Sequence, residues 1–220
     1  GIATALKATL DDVRVIGVQA EGASSVAQSL EKGSRQQLDA VDTIADGIAT
    51  RSVGEKPWEI IQERVDEVVT VSDNEIALAL TYLLERSKTL VEGAGAVALA
   101  AVLSGAFDYD EGETIVPALC GGNIDLNDLT TVVIRGLVQM GRYVKIRTEL
   151  KDNPGSLERL VEIIADHNAN IYGIQHDRTS RDVAMNAADV VLDLETHGHD
   201  HVDELLAALE SRGYEVEMLV

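Results

Sequence analysis

The spacing of apolar residues changes near residue 142, and this change divides the chain into two segments with different folds. After that point the pattern predicts strands over 144–150, 171–178, 187–196 and 214–219, and helices over 154–167 and 200–209. The two middle strands would pair around Ser180, Arg181 and Asp182. The segment therefore has the order strand, helix, strand, strand, helix, strand.

The first 142 residues instead alternate helices with short apolar strands. Strands are predicted over 13–18, 68–71 and 114–119, and helices over 57–64, 75–88, 95–103 and 126–140. This alternation is typical of an α/β domain with a parallel sheet, whereas the later order is that of ferredoxin-like domains. The sequence from Ser72 to Glu75 is a capping box, which we interpret as structural. We predict an α/β domain over 1–142 and a ferredoxin-like βαββαβ domain over 143–220.

The charge of the chain limits its partners. Acidic residues outnumber basic ones by 38 to 18, which gives a formal net charge of -20. Because such a surface repels nucleic-acid phosphates, we expect no nucleic-acid partner. Acidic side chains spread over a chain with only 3% aromatic residues indicate a halophilic protein, since high salt screens self-repulsion.

The sequence also gives expectations about location. No apolar run is long enough and free enough of charge to span a bilayer, and no secretory signal is visible. Cys120 is the single cysteine and has no intrachain disulfide partner, which fits a reducing compartment. We expect a soluble, cytoplasmic protein without a membrane partner.

A glycine turn is the first candidate site. Residues 115–125 read IVPALCGGNID, a predicted apolar strand that leads into Cys120, Gly121 and Gly122. Open α/β sheets bind ligands at the carboxyl ends of their strands, where this turn would lie. Alternatively, a cysteine in such a turn is simply a small buried residue.

Two further motifs combine small residues with a carboxylate. Glu92 opens the sequence EGAGA at a predicted helix start, where glycines allow close approach of a backbone or a ligand. By itself this motif is more typical of helix capping than of a ligand site. The third motif is the sequence IADGIA, which contains Gly47.

Together, the three motifs resemble the pyridoxal-phosphate enzymes related to threonine dehydratases, serine dehydratases and serine racemase. The resemblance implies a partial fold type II domain that binds pyridoxal 5'-phosphate. Cys120 would face the pyridine nitrogen, Glu92 would lie beside the ring, Gly47 would line the pocket, and Gly121 and Gly122 would complete the cofactor turn. The implied reaction is the deamination of threonine to 2-oxobutyrate and ammonia.

The same resemblance places part of the site outside the sequence. The phosphate-binding loop and the Schiff-base lysine would lie upstream of residue 1, and residues 2–10 would be the rest of the helix that follows this loop. None of the six lysines has the expected sequence context, so we assign no catalytic residue in this chain and expect it to be inactive alone.

The second domain resembles the ACT family of amino-acid-sensing modules. Its signature is Asn153, Pro154, Gly155, Ser156 and Leu157, where Asn153 could cap a helix that begins at Pro154. By sequence alone, this is equally a well-made helix start. The resemblance implies isoleucine or valine as an effector and pairing between subunits in a homo-oligomer.

Metal binding is not expected. Some relatives bind a divalent metal after the strand that ends near Val18, but Gln19 and Ser25 stand at the matching positions here. The histidines between His197 and His201 are better explained by a helix that Asp200 caps. Two alternatives remain for function: a non-catalytic amino-acid-binding module, or a serine dehydratase or racemase of the same fold.

Overall fold

The computed structural model describes residues 1–10, 12–179 and 184–220. It forms two compact units, residues 1–136 and 137–220. The division falls inside the helix Leu126–Gln139, before the boundary predicted after residue 142. Within the described ranges, no helix combines the length and hydropathy needed to cross a membrane.

The first unit is an α/β structure around a two-stranded parallel sheet. Its elements in chain order are α1 (Ile2–Thr9), β1 (Ile16–Ala20), α2 (Ser25–Lys32), α3 (Glu55–Arg64), β2 (Glu67–Val71), α4 (Asp73–Tyr82), α5 (Gly93–Ser104) and α6 (Leu126–Gln139). Strands β1 and β2 pair in register from Ile16 opposite Glu67 to Ala20 opposite Val71. Helices α4 and α5 bury small and aliphatic residues beside this sheet, including Ile76, Leu80 and Ala96.

The capping box at the start of α4 is confirmed. The Ser72 hydroxyl accepts from the Glu75 N–H at 3.3 Å, and the Glu75 carboxylate accepts from the Ser72 N–H at 2.6 Å. The α-helix continues after Tyr82 as a π-helical turn over Leu83–Ser87, so the helical stretch predicted over 75–88 extends to Ser87. Lys88 then takes a left-handed conformation at φ 56, which stops the helix.

The strand predicted over 114–119 is wrong. This segment has no regular secondary structure and belongs to neither described sheet. Alternating apolar residues favour an extended backbone, whereas a strand also requires a partner for its hydrogen bonds. The first strand is also shifted, since it spans Ile16–Ala20 instead of 13–18.

The second unit confirms the ferredoxin-like prediction. It consists of β3 (Tyr143–Lys151), α7 (Ser156–Asp166), β4 (Asn170–Asp177), β5 (Ala187–Glu195), α8 (His199–Ser211) and β6 (Val216–Met218). The strands lie in the order β4-β5-β3-β6, and each neighbouring pair is antiparallel. Alternate residues of β5, such as Val190, Leu192 and Leu194, are fully buried in the core that α7 and α8 share.

Three local predictions in this unit are wrong or untested. Helix α7 begins at Ser156, not at Pro154, and its N-cap is Gly155 at φ 83 without a side-chain cap, so Asn153 does not cap it. Likewise, Gly198 is the N-cap of α8, and Asp200 lies within the first turn. In both cases a glycine takes the backbone conformation at the helix start. The turn predicted around Ser180, Arg181 and Asp182 lies outside the described residues.

Candidate active site

The first turn of α5 is where two distant loops meet. A Cβ atom added to Gly93 would lie 2.3 Å from the carbonyl oxygen of Ile44, and one added to Gly95 would lie 1.9 Å from that of Cys120. Only glycine leaves room for backbone approach this close. The small residues of the EGAGA motif therefore serve to bring the loops that contain Gly47 and Cys120 against one helix end.

Glu92 joins these two loops as the N-cap residue of α5. Its backbone N–H donates to the Gly121 carbonyl at 3.2 Å, and its Oε2 accepts from the Asn123 N–H at 3.1 Å. A Cβ at Gly121 would lie 2.3 Å from Glu92 Oε1, and a Cβ at Gly47 would lie 2.8 Å from the same atom. Because Gly121 also has φ +77, a side chain there is excluded by both space and conformation.

A cavity of about 560 Å³ opens beside this carboxylate. It lies between the loop of Thr43 to Gly47, the start of α5 and the first half of α6. Its wall contains Thr43, Ile44, Asp46, Gly47, Glu92, Gly93, Asn123, Ile124, Asp128, Thr131 and Val132. The wall thus holds three carboxylates, and no lysine or arginine is among its described residues. These described residues therefore offer no cation for a ligand phosphate.

The position of the loop agrees with the rule for open α/β sheets. The Asp42 N–H donates to the Gly22 carbonyl at 3.1 Å, just after β1 ends. Asp73, two residues after the end of β2, accepts from the hydroxyl of Thr43 at 2.6 Å. The cavity wall is therefore anchored at the carboxyl ends of both strands, where such sheets bind ligands.

The structure brings together Gly47, Glu92 and Gly121 from three separate motifs. Cys120 contributes its carbonyl to the contact with α5, and its exposed thiol lies outside the cavity wall. Gly122 lies in the same turn, and the nearest atom to its added Cβ is the Leu90 carbonyl oxygen at 3.9 Å.

Sequence reasoning missed the polar residues that α6 and the 43–47 loop supply to the wall. Asp128 and Thr131 lie on the helix predicted over 126–140, three positions apart, so they share one face. That spacing could have indicated them. Thr43 stands four residues before Gly47 but has no motif of its own.

The predicted effector loop in the second unit connects β3 to α7. The Ser156 N–H donates to the Asn153 carbonyl at 3.1 Å, and the buried Ser156 hydroxyl accepts from Arg159 Nη2 at 3.0 Å. The structure therefore adds a guanidinium to the predicted set. Arg159 was missed because a basic residue in the first turn of a helix is electrostatically unfavourable and is normally a surface residue.

The structure shows no metal cluster among the residues that it describes. The Gln19 amide donates to the Ala23 carbonyl at 3.0 Å, and its oxygen accepts from the N–H groups of Val26 and Ala27. His201 Nδ1 accepts from the His197 N–H at 3.0 Å, while its Nε2 lies 2.6 Å from the His167 carbonyl oxygen. The side chains of Gln19 and His201 therefore both form hydrogen bonds with nearby backbone groups.

Known proteins share both the sequence and the fold of these units. The family model for pyridoxal-phosphate dependent enzymes matches residues 1–121, and that for ACT domains matches residues 140–212. The chain is 47% identical over 219 residues to the L-threonine ammonia-lyase of Geobacter sulfurreducens, and it spans 54% of the length of that relative.

Two solved structures are similar to part of the chain. The processed form of threonine deaminase isoform 2 from Solanum lycopersicum has a TM-score of 0.57 at 32% identity, over 62% of this chain and 38% of that one. Maize serine racemase has a TM-score of 0.53 at 32% identity, over 63% of this chain and 43% of that one. With a family match over more than half its length, this chain belongs to the pyridoxal-phosphate-dependent enzymes.

Proposed function

We propose that this chain is part of a threonine dehydratase, which converts L-threonine to 2-oxobutyrate and ammonia. The observation that carries this proposal is the convergence of Gly47, Glu92 and Gly121 beside a cavity of about 560 Å³. Similarity to an L-threonine ammonia-lyase over 100% of the chain supports the substrate. Since the chain spans about half of that relative, the activity belongs to a longer protein.

The residues present fit the ring half of pyridoxal 5'-phosphate. A Cβ at Gly121 or Gly47 would collide with the Glu92 carboxylate, which lies beside the cavity, so the packing at the site requires glycine at both positions. When bound, the cofactor withdraws electrons from the substrate α-carbon and acidifies its hydrogen. The family resemblance would place the Cys120 thiol towards the ring nitrogen, although in this structure the thiol lies outside the cavity wall. It would place Gly121 and Gly122 beside the ring, and Glu92 would fix the turn that carries them.

The phosphate and the catalytic lysine belong to the part of the protein outside these residues. The wall of the cavity has no described cation to neutralise a phosphate. Two of the six lysines donate to nearby carbonyls: Lys7 donates to the Val13 carbonyl at 2.7 Å, and Lys88 donates to the Glu85 carbonyl at 2.7 Å, and no lysine is among the described residues of the cavity wall. We therefore assign no proton transfer to a residue of this chain.

The second unit would sense an amino acid through the loop of Asn153, Pro154, Gly155, Ser156 and Leu157. Arg159 lies beside Ser156 and supplies a positive charge for the carboxylate of an effector such as isoleucine or valine. Feedback by isoleucine would place the enzyme in isoleucine biosynthesis in the cytoplasm. The ligand must bind one state of the enzyme more tightly than the other to regulate it.

A homo-oligomer is part of the proposal. Strand β4 forms one edge of the four-stranded sheet and is eight residues long, so a second copy could pair with it. Light scattering on the full-length protein at high salt would measure the assembly. A monomer at micromolar concentration would contradict this part.

The experiment is a 2-oxobutyrate assay on the full-length protein with pyridoxal 5'-phosphate, in high salt. L-threonine and L-serine are compared as substrates, each with and without isoleucine or valine. We expect threonine turnover that isoleucine or valine changes. Turnover or racemisation of serine alone would favour the serine enzymes, in line with the maize serine racemase similarity. Effector binding without cofactor binding would instead indicate a non-catalytic sensing module.

A further inference from the structure

We propose that Asp73 is a positioning residue for the cofactor site, which it serves by holding the loop of residues 43–47 in place. The inference rests on the proposed function above. The carboxylate accepts from the Thr43 hydroxyl at 2.6 Å, and both of its oxygens lie 3.2 Å from the Ile44 nitrogen. One side chain thus binds two consecutive residues of the loop that forms one side of the cavity.

Thr43 extends this anchor along the loop. Its hydroxyl donates to Asp73 and at the same time accepts from the Ala45 N–H at 3.1 Å. Bonds to an ionised carboxylate are stronger than neutral ones, and a hydroxyl that both donates and accepts is fixed in orientation. Three successive residues of the loop are therefore held through one carboxylate.

The anchored loop lies directly against the start of α5. Ala45 is fully buried. The Ile44 carbonyl oxygen lies so close to Gly93 that a Cβ atom added to this glycine would be only 2.3 Å from the oxygen. Two residues further along, Gly47 has room for no side chain beside Glu92 and Ala94. A shift of the loop would close the cavity or separate Gly47 from Glu92. Binding groups held to within about 0.5 Å depend on such supporting hydrogen bonds.

The role of Asp73 is separate from helix capping. Ser72 and Glu75 form the capping box of α4 with each other, and the Asp73 carboxylate bonds to the loop instead. Removal of the cap should therefore weaken α4 without moving the cofactor site. Ser72→Ala provides this control at the adjacent residue, since Ser72 has no bond to the loop among its described contacts.

The test uses the full-length protein with Asp73→Asn, Thr43→Val, the double variant and Ser72→Ala. Three quantities are measured for each: the cofactor dissociation constant from its absorbance, the urea midpoint of the apo form, and KM and kcat for threonine. We expect Asp73→Asn and Thr43→Val each to weaken cofactor binding about tenfold, the loss expected for a hydrogen bond to a charged group. The double variant should lose less affinity than the sum of the two single losses, because both substitutions remove the bond between Thr43 and Asp73.

Ser72→Ala should lower the urea midpoint and leave the cofactor dissociation constant within about twofold. If circular dichroism shows that Asp73→Asn does not fold, the cofactor affinity of Thr43→Val alone tests the proposal, because this variant keeps the Asp73 carboxylate and the capping box. The proposal is overturned if Asp73→Asn and Thr43→Val lower stability as Ser72→Ala does but leave cofactor binding unchanged. Cofactor binding without threonine turnover would remove only the substrate assignment. A wild-type protein that binds no cofactor would overturn both proposals.

Discussion

The substitution Gly121→Ala adds a single methyl group that should clash with Glu92. Comparison with an alanine substitution at a glycine that has no such neighbour separates the effect of this clash from the effect of backbone strain. In Gly121→Ala the new Cβ would lie 2.3 Å from Glu92 Oε1 and 2.5 Å from Cδ, at a φ of +77. The left-handed backbone costs an L-residue about 1–2 kcal/mol. Displacement of the carboxylate also breaks its bond with the Asn123 N–H, which adds about 1 kcal/mol at an exposed position. The expected loss of stability is therefore about 2–3 kcal/mol.

Gly105→Ala is the matched control. Gly105 follows the other end of α5 at φ +66, and an added Cβ would meet nothing within 4 Å. It should carry the backbone cost of about 1–2 kcal/mol without moving Glu92. Urea denaturation of the two full-length variants would give the stabilities, and an absorbance titration would give the cofactor affinity.

We expect Gly121→Ala to weaken cofactor binding at least about tenfold, since the turn under the ring moves, while Gly105→Ala stays within about twofold. Equal losses of cofactor affinity in the two variants would refute the reasoning. That result would mean that backbone strain in any turn, and not the contact between Gly121 and Glu92, governs the site.

Three other predictions concern pH and salt. The hydrogen bond from Lys7 and then the Val15 N–H hold the pKa of Asp66 below its ordinary 3.8, so this stabilisation is complete above about pH 3.8 and is lost as pH falls further. In Asp66→Asn, the urea midpoint should fall less steeply as the pH is lowered below about 3.8 than in the wild type. An unchanged pH dependence in this range would contradict the stabilising role of the Asp66 carboxylate. Burial and then the hydrogen bond to Asp193 raise the pKa of Tyr143 from 10.0 to about 12, so this stabilisation is complete below pH 10 and fades towards pH 12. Tyrosinate absorbance should show a late-titrating group that Tyr143→Phe removes; a titration curve that Tyr143→Phe leaves unchanged above pH 10 would contradict this. Finally, a net charge of -20 predicts loss of stability on transfer from molar KCl to dilute buffer, because the screening length grows from about 3 Å at 1 M to about 30 Å at 0.01 M. A midpoint independent of salt would rule out halophilic adaptation.

The elements of the second unit were predictable because each buries one face. Strand β5 alternates buried and half-buried residues throughout, and α7 repeats Leu160, Ile163 and Ile164 on its buried side. Helix starts were less predictable, because a polar residue near the start is not always the cap. At α7 and α8 a glycine with positive φ begins the helix, and Asn153 and Asp200 take other positions.

The candidate site could be predicted only as separate motifs. Gly47, Glu92 and Gly121 are far apart in the chain, and hydrophobic spacing carries no information on which loops meet. The role of Asp73 was missed for a different reason. It lies inside the capping-box sequence, which explains Ser72 and Glu75 fully and so gave no reason to expect a bond to Thr43.

A crystal structure of the full-length protein with pyridoxal 5'-phosphate, grown in high salt, would test the central claim most directly. The account predicts electron density for the pyridine ring in contact with Gly47 and the turn of Cys120, Gly121 and Gly122, with Glu92 still bonded to the Asn123 N–H. Density for the ring at another place, with this cavity filled by protein side chains, would contradict it.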